Sequence, residues 1–164
     1  MTLEGIDAAS ANASRLLNRF REKRLPVFHI RHLAARPGAT FFLPDTPGSE
    51  IHPSVAPMAD ETVVVKHFPN SFRETSLLDQ LKKAGVASIV VCGAMSHMCI
   101  DATVRAASDL GFQCLVAHDA CATRALTFGR ETAPAANVHA AFMAALSGAY
   151  AQVLSTEELI RNIA

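Results

Sequence analysis

The sequence carries no excess of charge of either sign: 15 Lys and Arg are matched by 15 Asp and Glu. Without net charge there is no electrostatic reason to expect nucleic acid or an anionic membrane surface as a partner. No apolar run approaches the roughly 20 residues of a membrane span. The N-terminal stretch MTLEGIDAASANASRLL lacks the basic start and unbroken apolar core of a secretion signal. A cytoplasmic location is therefore the expectation. The four cysteines, Cys92, Cys99, Cys114 and Cys121, form no C-x-x-C pair, and a chain this long and apolar needs no disulfide staples. There is no H-E-x-x-H or comparable ligand spacing among the histidines, so no metal is expected. There is also no G-x-G-x-x-G, which counts against a dinucleotide, and no cofactor is expected at all.

What is present is a globular composition. The 164 residues are half hydrophobic, enough for one domain, 1–164, with a real core. Residues 7–23 read as an amphipathic helix with Ala9, Ala13, Leu16, Leu17 and Phe20 on one face. Strands are expected at 26–31, 62–65, 87–92, 112–117 and 151–154, and helices at 75–84, 97–110, 134–148 and 156–163, the last capped by Ser155 or Thr156. A Pro/Gly-rich stretch running to about residue 61 is longer than an ordinary connection and is a candidate functional loop. Strands alternating with helices give an α/β fold, a three-layer α/β/α arrangement around a mainly parallel sheet. One feature is out of pattern: the chain opens on a helix with no strand before it, so a first strand is expected to be missing from the sheet.

Ligands of open parallel sheets bind at the carboxyl ends of the strands. The polar residues expected there are His29, Arg31 and His32; Lys66 and His67; Ser96 and Cys99; and His118, Asp119 and Cys121. Cys99 stands out because Ile89-Val90-Val91 runs into Gly93, a short polar corner, and then a helix with Cys99 in its first turn. Free backbone N–H groups and the partial positive charge of that terminus favour a thiolate, and so a nucleophile. Lys66 ends a run of three valines, and its charge at the same rim stabilises a thiolate further. Cys92 and Cys114 sit in apolar strand patterns and read as small buried hydrophobes; packing accounts for Cys121 as well. His29 and His32, three apart on a strand, project to opposite faces. His52, His67 and His97 can approach the rim, and His97 is close enough in sequence to pair with the thiol. Phe41, Phe42 and Leu43, with Phe68 and Phe72, suggest an apolar lining with few polar anchors; Phe42, Phe68, Phe72 and His97 are the candidate substrate contacts.

At these residues the sequence resembles the isochorismatase-like cysteine hydrolases. Gly93-Ala94-Met95-Ser96-His97-Met98-Cys99-Ile100 resembles the family's G-x-x-[TS]-x-x-C-[VI] corner, and Lys66 with Asn70-Ser71-Phe72 its K-x-x-x-S-x-F stretch. Asp119-Ala120-Cys121-Ala122-Thr123 is similar to its D-A-x-x-[TS] segment, and Gly48 to Pro53 to part of its long loop. The resemblance implies a Cys–Lys–Asp triad in which Cys99 attacks a small amide or ureide carbonyl while Lys66 holds the groups charged. It implies a cis peptide at Ala94-Met95, an oxyanion hole from the Met95 and Cys99 N–H groups, and Ser96 as support for that loop. Its true isochorismate hydrolases carry another residue at the nucleophile position, so Cys99 points to C–N bond cleavage. The family's Asp, in a D-x-Q motif, ends a first strand upstream of the opening helix, whereas residues 1–5 look like the loop after it. The strand and its acid/base are then expected ahead of Met1, itself an internal methionine of a longer reading frame. The alternative is a catalytically inactive family member serving as scaffold or subunit. Oligomers are common in the family, and the apolar segment 138–150 suits a homo-oligomer contact.

Overall fold

A computed structural model describes residues 2–163; Met1, on which the expectation of an internal methionine falls, lies outside them. The first helix, α1, spans Ile6–Glu22 and buries Ala9 and Leu16. It is followed by β1 (Phe28–His32), the long loop with two short 3₁₀ turns at Pro47–Ser49 and Pro53–Val55, and β2 (Thr62–Lys66). Then come α2 (Leu77–Lys83), β3 (Ser88–Ala94), a π-helical turn (Ser96–Ile100), α3 (Asp101–Asp109) and β4 (Gln113–Ala122). The hairpin β5 (Leu126–Phe128) and β6 (Glu131–Ala133), α4 (Ala135–Leu146), β7 (Gln152–Leu154) and α5 (Thr156–Asn162) complete the order. The hairpin is not anticipated by the sequence pattern, because three-residue strands are too short for alternation to show.

The expected three-layer α/β/α architecture is the one found. β1 pairs with β2, and β3 with β4 and β4 with β7, all in parallel. Leu16 of α1 and Leu159 of α5 pack on Ala117 and Ala120 at one face. On the other face Ile100, Val104 and Ala107 meet Cys114, Val116, Met143 and Leu146, while Leu77 and Leu81 of α2 cover Val64. Alternation explains which strand residues do this: in β2, Val64 and Lys66 are buried while Val63 and Val65 are more than 40% exposed.

The five strands of this parallel system do not form one continuous sheet. Among the described residues β1 bonds only to β2 and β3 only to β4, and the inner edges of β1 and β3 border a cavity of about 1180 Å³. The cavity runs from Phe20 and Leu25, beneath the sheet edges, to Lys66 and Cys99 at the carboxyl rim.

The rim itself departs from expectation at β4, which runs five residues further than its apolar pattern. The register jumps from Val91 opposite Val116 to Gly93 opposite Cys121, so β4 bulges and resumes pairing. Asp119 falls inside the bulge and caps α5: its Oδ1 accepts from both the Thr156 N–H and hydroxyl, at 2.7 Å each. Ser155, not Thr156, is the N-cap of α5, completing a capping box with Glu158. Cys121 lies in the core cluster, where burial raises its thiol pKa; it is no rim nucleophile.

His29 is likewise off the rim. It is buried and its Nε2 lies 2.8 Å from Glu61 Oε2. Arg21 of α1 binds both oxygens of the same carboxylate at 2.7 Å, and the Met58 N–H donates to it at 2.8 Å. The Arg21 hydrogen bond is the main reason the Glu61 carboxyl is held down at about 2, against an ordinary 4.5. A carboxylate whose pKa is depressed on folding stabilises the fold above its unfolded pKa and ceases to do so as pH falls through the folded value. Glu61→Ala is therefore expected to destabilise the fold by about 3 kcal/mol at neutral pH. In urea titrations the variant should lose much of the wild-type decline in stability between pH 4.5 and about 2.

Candidate active site

The corner before Cys99 is built by backbone first. Gly93 has φ 126°, a conformation that side-chain-bearing residues rarely adopt, and a Cβ there would touch Ile100 Cδ1 at 3.9 Å. The Ala94-Met95 peptide is cis, as the resemblance implies. Met95 and Ser96 are buried, so the chain dives inward before it turns. Cys99 sits in a π-helical turn leading into α3 rather than in the first turn of a regular α-helix; such turns recur at functional sites. The turn leaves the Cys99 side chain half-buried at the rim.

Three elements bring side chains to that sulfur. From the end of β2 comes Lys66, only 3% exposed. Its Nζ donates to the Pro69 carbonyl at 2.5 Å and to Ser71 Oγ at 3.2 Å. Ser71 in turn is held by Thr103 of α3, through a 2.9 Å hydroxyl pair and a 3.1 Å bond from its N–H. Burial lowers the Lys66 pKa from its ordinary value, an effect that the nearby Cys99 opposes. From the end of β1 comes His32, whose Nδ1 lies 3.8 Å from Cys99 Sγ. Burial, then the nearby Lys66 charge, lowers the His32 pKa, so the ring is neutral at pH 7. From the long loop comes Phe42, stacked on the His32 ring with centroids 4.9 Å apart. Phe42 holds φ 57°, and the Ala34 N–H donates to its carbonyl at 2.8 Å, which ties the loop over the site.

The other predicted positions divide. Ala94, Met95 and Phe72 line the cavity with Cys99 and Lys66, although Phe72 also stacks on Phe112 inside the core. Ser96 is fully buried and supports the loop from behind: its Oγ is 2.9 Å from His139 Nδ1 and 3.4 Å from the Ala122 carbonyl. Phe68 and His97 do not line the cavity. Phe68 is covered by the Arg73 guanidinium, 3.6 Å above its ring. His97 Nδ1 bonds Thr123 Oγ1 and meets the Phe142 ring edge-on, away from the sulfur. His32 was legible only as one of many polar residues at strand ends; its strand-end position is the signal, and the tertiary fold picks it out.

Among the described residues no group of three or more His, Cys, Asp or Glu is placed to hold a metal ion, and no helix is long and apolar enough to cross a membrane. Burial pushes the Cys92 thiol up to about 11 and raises that of Cys114 as well.

The model of the isochorismatase domain matches residues 1–158. The chain belongs to the isochorismatase family. An isochorismatase family protein of Bacillus subtilis, YddQ, whose function is uncharacterised, is 51% identical over 161 residues, covering 98% of this chain and 89% of that protein. A crystal structure from Oleispira antarctica, assigned to the isochorismatase hydrolases, superposes with a TM-score of 0.94 at 54% identity over 98% of this chain and 84% of that one. A streptothricin hydrolase of Streptomyces noursei is 43% identical over 108 residues, 66% of this chain and 38% of that protein. Family membership and the contact between Cys99 and His32 together support a cysteine-hydrolase mechanism.

Proposed function

We propose that the protein cleaves the C–N bond of a small amide or ureide through a Cys99 thioester. The observation that carries this reading is the His32 ring on the Cys99 sulfur, with the buried Lys66 lining the same cavity. A thiolate is the form that attacks carbonyl carbon, and a buried lysine on the same cavity would favour that form while it carries its charge. The C–S bond forms as the carbonyl π-bond opens to an oxyanion, which the Met95 and Cys99 N–H groups are positioned in sequence to receive. Collapse expels the nitrogen, which takes a proton from the Lys66 ammonium; water then adds to the acyl-enzyme carbonyl, gives its proton back to Lys66, and releases the carboxylic acid and the Cys99 thiolate. The scaffold alternative has less support, since a structural role gives no reason to bury a cation beside a cysteine. The relative named a streptothricin hydrolase is consistent with a hydrolytic role. The test is ammonia or amine release from a panel of primary amides, ureides and nicotinamide. Turnover of at least one class is expected; no turnover of any, by this chain or by one extended upstream, would sink the enzyme reading.

The slot between β1 and β3 supports a second part of the same proposal: a parallel strand supplied by residues outside 1–164 completes the sheet and brings a carboxylate to the Cys99 rim. Among the described residues neither bordering edge has a strand partner on that side, and the walls are mostly apolar, as a central strand requires. The strand would have five to seven residues, the lengths of its two neighbours. A carboxylate there adds general-base catalysis, commonly about 10²–10⁴-fold. Extending the chain upstream is expected to raise the melting midpoint by about 10 °C. It should also raise turnover within that range; an unchanged midpoint would count against the slot being a strand site.

A further inference from the structure

The corner that carries Cys99 is held from a side that does not face the cavity. Ser96, His97, His139 and Phe142 are not part of the wall between β1 and β3. Ser96 is fully buried all the same, and its hydroxyl has two partners. His139 Nδ1, on α4, is 2.9 Å away, and the Ala122 carbonyl at the end of β4 is 3.4 Å away. The shorter contact is therefore with the helix. Three residues further along the same face of α4, the Phe142 ring meets His97 edge-on with centroids 6.0 Å apart. His97 Nδ1 also bonds the Thr123 hydroxyl, just past β4. Two consecutive residues of the corner are thus gripped by two residues of α4 and by the end of β4.

Ser96 begins the π-helical turn Ser96–Ile100, and its carbonyl accepts the Asp101 N–H that closes the turn around Cys99. The Met95 carbonyl accepts from the Met98 and Ile100 N–H groups at 3.0 and 3.3 Å. Met95, Ser96 and Cys99 are therefore tied into one unit, which holds both the sulfur and the N–H groups of the oxyanion hole. Upstream the unit hangs on Gly93, which has no side chain to pin it. His139 is half-buried and belongs to none of the core clusters, so packing alone gives no reason for a histidine there. Burial, then the charge of nearby His118, lowers its pKa. The ring is neutral at pH 7, and either tautomer bonds a hydroxyl that can donate or accept.

Resting on the hydrolase reading above, we infer that His139 is a positioning residue: bonded to Ser96, it holds the Cys99 sulfur and the Met95 and Cys99 N–H groups where the reaction needs them. Displacing such groups by about 1 Å costs about 10²-fold in rate. Because the ring is not at the cavity wall, its loss should slow the chemical step and leave substrate binding alone.

The test pairs a probe of the oxyanion hole with a probe of plain binding. Butyraldehyde adds reversibly to the Cys99 thiolate: the C–S bond forms and the carbonyl π electrons move to an oxygen that the hole receives. Butyramide binds without that bond. Protection of Cys99 against iodoacetamide is read by mass spectrometry for both, relative to each variant's own unprotected rate. His139→Leu keeps the bulk and loses the bond; it should weaken protection by butyraldehyde at least about tenfold and change protection by butyramide less than about twofold. His139→Asn, which can set an amide where Nδ1 stands, should restore the aldehyde to within about threefold of wild type. Ser96→Ala should match His139→Leu, and the double variant should be no worse than either alone, as residues acting through one bond require. Deuterium exchange of segment 94–100 should quicken in His139→Leu and slow again in His139→Asn. Unchanged protection by the aldehyde in His139→Leu, equal losses for both probes, or no rescue by asparagine would each overturn the inference. Failure of wild-type Cys99 to add the aldehyde would overturn the hydrolase reading itself, a result distinct from the others because it appears before any variant is made.

Discussion

Replacing Cys99 with alanine is expected to remove turnover by at least about 10⁴-fold, the scale on which deletion of a covalent nucleophile registers. The loss should come without unfolding. Cys99 belongs to none of the three core clusters, and its side chain is half-buried at the rim, so truncation opens no packed cavity. The melting midpoint should therefore stay within a few degrees of wild type. Cys99→Ser is the sharper control, because it keeps the volume and a hydrogen-bonding group but has a far weaker nucleophile; it should be nearly as inactive as alanine. A second observable does not depend on knowing the substrate. At neutral pH, iodoacetamide should modify one site in the native protein and none in Cys99→Ala, because burial keeps Cys92, Cys114 and Cys121 as thiols. Comparable labelling at another cysteine, or full turnover by Cys99→Ala, would remove the basis for the mechanism.

Lys66→Met should separate activity from stability. The lysine is inside the protein, and burial is the main influence on its pKa, which is lowered. Methionine keeps most of the aliphatic volume and removes the burial cost of the ammonium. Against that gain, the Pro69 carbonyl and Ser71 hydroxyl lose their donor, at a cost of about 1–3 kcal/mol. The two effects oppose each other, so the melting midpoint should change little. Activity should fall by about 10²–10³-fold, because the charge that holds the sulfur as thiolate and balances the oxyanion is gone; the rate of Cys99 alkylation at pH 7 should drop with it. The pH dependence of stability gives a third reading. A lysine whose pKa is lowered on folding binds fewer protons in the folded state, so stability rises with pH from its folded value up to the ordinary 10.5. Lys66→Met should flatten that alkaline rise, and a variant with wild-type alkylation rates would show that Lys66 does not serve the thiol.

Much of the site was legible because it is local. The run Ile89 to Ile100 places a strand, a glycine corner and a cysteine in one short segment, and Lys66 follows directly on Val63-Val64-Val65. Alternation then sends Val64 and Lys66 to the same buried side, so a strand pattern alone brings the lysine to the cavity that Cys99 lines. His29 and His32 do project to opposite sides, as spacing three apart on a strand requires. Their two environments, Glu61 with Arg21 on one side and Cys99 on the other, involve residues 32 and 67 positions away in the chain. No local pattern carries that information. The sequence pattern foreshortens β4 because its polar His118-Asp119 pair looks like a strand end; in the fold Asp119 bonds to the start of α5 and these residues belong to a bulged strand.

By itself, then, the sequence determined the α/β alternation, the helix faces, the corner that carries Cys99 and the strand-end place of Lys66, since each depends on period or adjacency along the chain. Only the tertiary structure decided that His32 and Phe42 close on Cys99, and that β1 and β3 stand apart around a cavity. Those outcomes depend on which strand ends and loops meet in space. That is set by packing among α1, α2 and α5 against the sheet, whose buried faces the sequence marks as apolar without saying which of them pair.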